Sequence, residues 1–196
     1  MILLGIADGH GAPAHDAAAL VDNLVRKGLQ TLRDEQLTPD ARQKQFAVIL
    51  ENDFDLPRIA RFAVGRHWSM ATEAERQRFV TVFERWIVIT YTDRFSTYSG
   101  DGIKVTGSRA DSETTATVFS KLDRTGGGGS PTKIDWRVRR EDGDDYRVVD
   151  VSVEGVSMLV TQREEFASVI QNNGGTVSGL TKALENRVSG GKTSRP

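Results

Sequence analysis

The side chains able to do chemistry are few and scattered. Three histidines occur, His10, His15 and His67. The first two lie in an N-terminal stretch expected to fray, which is no platform for a metal site; His67, beside Trp68 at a helix junction, reads as a packed or surface histidine, so no metal is expected. Cysteine is absent, which removes disulfides, thiolate nucleophiles and Cys-based zinc sites together. There is no G-x-S-x-G elbow, no P-loop and no dinucleotide fingerprint. The glycine run Gly126 to Gly129, followed by Ser130, lacks the lysine and the strand-to-helix setting that phosphate binding requires. Asp150 remains. It falls inside an apolar run, in alternation with Tyr146 and Val148. Two readings are open: a general base whose pKa burial raises, or a carboxylate accepting hydrogen bonds from nearby backbone or arginine groups.

The elements that must position these residues follow from hydrophobic period. From Asp16 onward, Leu20, Val21, Leu24, Val25, Gly28, Leu29 and Leu32 mark one helix face. Thr38-Pro39-Asp40 is a helix start, an N-cap hydroxyl followed by proline at the first helical position. Asp55 caps a short helix that Gly65 ends. Thr72 and Glu75 form a capping box for the longest helix, predicted to run to Ser99-Gly100. Its apolar residues, among them Phe79, Phe83, Trp86 and Ile87, spread beyond one stripe, as expected of a helix buried on more than one side.

The period then drops to two. Ile103–Thr106 and Ile134–Arg139 alternate, Glu113–Leu122 is rich in Thr, Val and Phe, and Tyr146–Val153 is a fourth run; turn signals separate them at Ala110-Asp111, in the Gly126-to-Ser130 loop and at Asp142-Gly143-Asp144. They predict an antiparallel four-stranded sheet, or one slightly larger. Two helices follow, one carrying Met158, Leu159 and Phe166, the other Val177, Leu180 and Leu184. The fold class is therefore α+β, with helices packed on one face of the sheet. One domain is expected over 16–188, with flexible termini at 1–15 and 189–196. Phe83, Trp86, Ile87, Trp136, Val138, Met158 and Leu159 are expected to border one space between helices and sheet. Filled with side chains it is a core; left open it is an apolar pocket.

Composition agrees with a globular chain. Of 196 residues, 38% are hydrophobic and 27% charged, and the net charge is -1, so no excess of basic charge points to nucleic acid. No stretch reaches the roughly 18 apolar residues of a membrane span. The apolar start, Met1 to Ala7, reads either as the remnant of a clipped signal peptide or as an accident of the start site.

Several blocks carry a family resemblance: Phe54 to Ala60, Gly65 to Trp68, Glu75 to Phe79, Tyr91 to Gly100, Asp135 to Arg139, Val149 to Met158 and Gln162 to Ile170. Their order and spacing, over about Asp16 to Val188, are similar to the MlaC family, which also includes toluene-tolerance auxiliary proteins and hopanoid-associated relatives. The resemblance implies an NTF2-like cone with an apolar cavity. It also implies a periplasmic carrier that catalyses no reaction, takes no cofactor and carries phospholipid as cargo. The partners it implies are an outer-membrane lipoprotein complex and an inner-membrane Mla-type ABC transporter complex. Two alternatives stay open, a hopanoid carrier and a small-molecule enzyme on the same cone with Asp150 as base.

Overall fold

Capping chemistry fixes where the helices begin. In the computed structural model of the chain, which describes residues 12–96, 102–123, 130–140 and 145–190, helix α2 (Pro39–Asp53) opens on Thr38, whose hydroxyl accepts from the Ala41 N–H at 3.2 Å. Helix α3 (Leu56–Val64) opens on Asp55, which accepts from the Arg58 N–H at 3.0 Å and from its guanidinium at 2.9 Å. It stops at Gly65, whose φ of +60° lies in the region that favours glycine. A short turn of helix, α4 (His67–Met70), leads to α5 (Glu73–Ser96). There Thr72 and Glu75 bond reciprocally as the sequence predicts, Thr72 N–H to the Glu75 carboxylate at 2.8 Å and Glu75 N–H to the Thr72 hydroxyl at 3.3 Å.

The first helix, α1 (Ala12–Arg33), starts ahead of Asp16, because helical bonding in a first turn needs no apolar residue. For the same reason the last helix, α7 (Val177–Gly190), continues past Val188. The apolar start with His10, residues 97–100 where the sequence predicts the end of the long helix, the glycine-rich run at 126–129, residues 142–144 and residues 191–196 lie outside the described residues. Among the described residues no helix is long and apolar enough to cross a membrane.

The strands are β1 (Ile103–Ala110), β2 (Thr115–Leu122), β3 (Thr132–Arg140), β4 (Tyr146–Val153) and β5 (Val156–Ser157), paired antiparallel in sequence order. The fifth strand adds to the four that alternation predicts. It is two residues long, folded back by Glu154 and Gly155 with φ of +50° and +81°, a two-residue turn whose hand matches the twist of a hairpin. It delivers the chain into α6 (Met158–Asn172), with Ser157 as N-cap.

One face of the sheet is apolar, and the helices gather on it: α1 lies over β1, β2 and β4, and α2, α3 and α6 reach β4. At one end this layer is solid. Ala17 and Val21 of α1 meet Ala116, Val118, Val138 and Val148, and all six are fully buried. Toward the other end the layers diverge.

Candidate ligand-binding cavity

The divergent end encloses a cavity of about 370 Å³. Its floor is the sheet, through Ile103, Leu122, Ile134, Trp136, Val151 and Val153. The walls are Leu24, Val25, Leu29 and Leu32 of α1, Phe46, Ile49 and Leu50 of α2, and Phe83, Trp86, Ile87 and Tyr91 of α5. Met158 and Leu159 of α6 close the remaining side, with Leu56 and Ile59 of α3 beside them. Ile103, Leu122, Thr132 and Val153 stand at matching ends of their strands, so the cavity reaches that end of the sheet.

Almost every exposed atom of the lining is carbon, and the main polar group of the floor is neutralised locally. The Trp136 indole N–H donates to the Ser120 hydroxyl at 2.9 Å, and that hydroxyl donates to the Ile134 carbonyl at 2.9 Å. Ser120 is itself buried. An indole with its one donor satisfied offers a large apolar face. Behind the α5 wall, Phe79, Phe83, Trp86 and Phe166 interlock with ring centroids 5.5 to 6.2 Å apart, which makes that wall stiff. Gly28 borders the cavity from α1, and a Cβ built there would meet nothing within 4 Å. The missing side chain leaves room in the cavity.

Of the seven residues that the sequence places on the lining, Phe83, Trp86, Ile87, Trp136, Met158 and Leu159 border this cavity. Val138 does not. It shares the inward face with Trp136 but lies toward the solid end, opposite Ala116 and Val148 and fully buried. Alternation assigns a side of the sheet and says nothing about depth along it. The α1 and α2 walls escaped the sequence reading for the converse reason: their stripes were visible, but not what they faced.

Asp150 is corrected by a bulge. The register of β3 against β4 shifts between Arg137 and Val138, so Val138 pairs with Val148 while Arg137 pairs with Asp150. Val149 is the extra residue, and Asp150 leaves the set of Tyr146 and Val148. Its carboxylate accepts from the Ser157 hydroxyl at 2.6 Å and from the Leu159 N–H at 3.1 Å, so it anchors the first turn of α6, where a negative charge is also favoured by the helix dipole.

Asp150 still borders the cavity, as do Thr132 and Gln162; the remaining charged groups stand away from it. Arg137 and Arg139 lie on the outer face of β3. Arg163 rests over the Phe62 ring at 5.2 Å and so close to Gly65 that a Cβ there would lie 2.9 Å from its Nε. His15 is exposed on α1 and His67 begins α4. Burial raises the pKa of Asp53, at the end of α2, against the opposing pull of Lys27 and Arg147. Burial, helped by Glu51, likewise raises that of Glu84 on α5.

A cavity of this size and lining invites comparison with known proteins. The sequence profile described as MlaC protein matches residues 22–186. The chain is similar to the toluene tolerance protein ttg2D of Pseudomonas putida, 30% identical over 104 residues, which are 53% of this chain and 47% of that protein; the match thus spans about half of the relative's length. Among solved structures it is similar to a phospholipid-binding protein of Ralstonia solanacearum determined in complex with a phospholipid, with a TM-score of 0.74 and 24% identity over 91% of this chain and 99% of that one. This last likeness establishes the common fold. With the profile matched across residues 22–186, the chain belongs to the MlaC family.

Proposed function

We propose that this protein is a periplasmic lipid carrier, which holds the acyl tails of a phospholipid in the cavity and catalyses no reaction. The observation that carries this reading is the cavity itself. Apolar side chains that face about 370 Å³ of unfilled space lack the packing partners that stabilise a core. An apolar occupant supplies them. Membership of the MlaC family supports the choice of lipid, as does the phospholipid held by the Ralstonia solanacearum protein of the same fold. Against an enzyme on the same scaffold stands Asp150, whose two carboxylate oxygens are both engaged by the start of α6.

Each buried CH₂ contributes about 0.8 kcal/mol, so two long tails represent on the order of 20 kcal/mol of gross transfer free energy. Escape into water is correspondingly slow. Handover therefore takes place while the carrier is docked to a complex that offers another apolar site. In this reading the donors and acceptors are an outer-membrane lipoprotein complex and an inner-membrane ABC transporter.

Two substitutions test the buried-tail geometry. Leu159→Trp puts a larger side chain into the cavity. Gly28→Leu does the same from α1 and also raises helix propensity by up to about 1 kcal/mol, so it should stay folded. Each displaced CH₂ is worth a factor of about four, so both variants should hold phospholipid at least about tenfold more weakly. Retention is read by transfer of a tail-labelled phospholipid to acceptor vesicles, with folding checked by circular dichroism. Undiminished loading of either folded variant would remove the cavity as the tail site.

A further inference from the structure

The antiparallel register sorts the outer face of the sheet into rows of like charge. Lys104 of β1 stands opposite Lys121 of β2, and Lys121 stands opposite Lys133 of β3. Further along, Arg139 of β3 stands opposite Arg147 of β4. With Arg109 and Arg137, the paired outer positions carry seven cations and two carboxylates, Asp135 and Asp150; three more carboxylates adjoin the rows, Asp111 at Thr117, Asp123 at Lys104 and Glu154, which accepts from the Lys133 N–H. This occurs in a chain of net charge -1. Asp150 is already taken up by α6. Lys104 pairs with Asp123 at 3.3 Å and Arg109 with Asp111 at 2.8 Å, while Lys121 and Lys133, both exposed, form no ion pair among the described residues.

Like charges directly opposite one another weaken a sheet, so these rows are retained at a cost to stability. The lysine row also has a definite place. Each lysine is the chain neighbour of a cavity residue, Lys104 of Ile103, Lys121 of Leu122 and Lys133 of Thr132, so the row borders the end of the sheet that the cavity reaches. Among the described residues the face has no apolar centre of the kind that protein partners bury, and its one aromatic ring, Phe119, lies under the Arg109 guanidinium at 5.8 Å. A spread of positive charge without an apolar anchor matches a layer of lipid headgroups, where each lysine or arginine near an anionic surface adds attraction.

We propose that the outer face of the sheet docks the protein on a bilayer presenting anionic phospholipid headgroups, the lysine row bringing the cavity's end to the membrane. The carrier reading gives this docking its purpose, but the binding does not depend on what the cavity holds. The test is flotation of the intact protein with phosphatidylglycerol-rich vesicles and with vesicles of phosphatidylcholine alone, across a salt titration. The wild type should float with the first, not the second, and salt should release it. The double variant Lys121→Glu with Lys133→Glu should bind at least about tenfold more weakly, and Lys121→Gln with Lys133→Gln should fall between. The control, Lys44→Glu with Lys182→Glu, makes the same change in net charge at exposed positions on α2 and α7 and should bind nearly as the wild type does. The proposal is overturned if the wild type ignores phosphatidylglycerol, binds phosphatidylcholine equally, or loses binding equally in both Glu pairs; binding only to an acidic protein overturns it as well. Cargo retention, followed in parallel by mass spectrometry, separates the two readings. Retained cargo without docking removes only the docking face, and docking without cargo removes only the carrier.

Discussion

Ser120 and Trp136 illustrate how single residues keep the cavity apolar. The serine accepts from the one indole donor and donates its own O–H to a strand carbonyl, so a polar pair buried in the floor is satisfied internally. Ser120→Ala would strand the indole N–H in an apolar setting, at a cost of about 1–3 kcal/mol. Urea denaturation should show that loss of stability, with an unchanged slope. Asp150 makes the complementary point. Asp150→Asn should weaken the anchoring of α6 by about 1–2 kcal/mol, yet leave lipid loading intact in the folded fraction. Loading that vanished in a fully folded Asp150→Asn protein would restore a direct role for that carboxylate. Only half of this was legible beforehand. Period two put Trp136 on the inward face, but a serine's role as hydrogen-bond partner across strands depends on register. The bulge that re-aims Asp150 has no signature in Val148-Val149-Asp150 as a string.

At the scale of elements, the sequence was most informative where structure is local. Thr38, Asp55 and the Thr72–Glu75 box act as caps because their partners lie three residues away. The four runs read as strands became strands for the same reason. The two-residue β5 escaped notice because it is too short to show a period, and Val138 was misplaced because depth along a strand is set by the helix above it. Buried charge at an element's end also has consequences that only packing reveals. Asp53 ends α2 in a buried position with its Oδ2 unpartnered, and its pKa is raised because burial outweighs Lys27 and Arg147. A raised carboxyl means the folded state holds the proton more tightly than the unfolded chain does. The stabilisation is then full below the ordinary aspartate value and is lost as pH rises through the raised one. Asp53→Asn removes that loss. The variant should melt higher than the wild type at neutral pH, and the gap should close as pH falls through the acid range. A gap that widened toward acid would show that the two cations dominate instead.

For the whole molecule, the central feature is a fold that is solid at one end and hollow at the other. Ala17, Val21, Ala116 and Val138 are small or β-branched and close the solid end. At the hollow end long and aromatic side chains stand back from one another around about 370 Å³. The α+β class and the facing of helices against one sheet followed from the change of period. The void did not, since an apolar stripe is the same string whether it meets side chains or a ligand. In the proposed carrier, filling that void makes stability depend on cargo. Native mass spectrometry of protein purified from a bacterial host, coupled to thermal melting before and after lipid extraction, tests this most directly. The account predicts a mass increment equal to a two-tailed phospholipid, and a fall in Tm on the order of 10 °C after extraction that re-lipidation reverses. A protein that emerges at its bare mass and melts at the same temperature with or without lipid would contradict it.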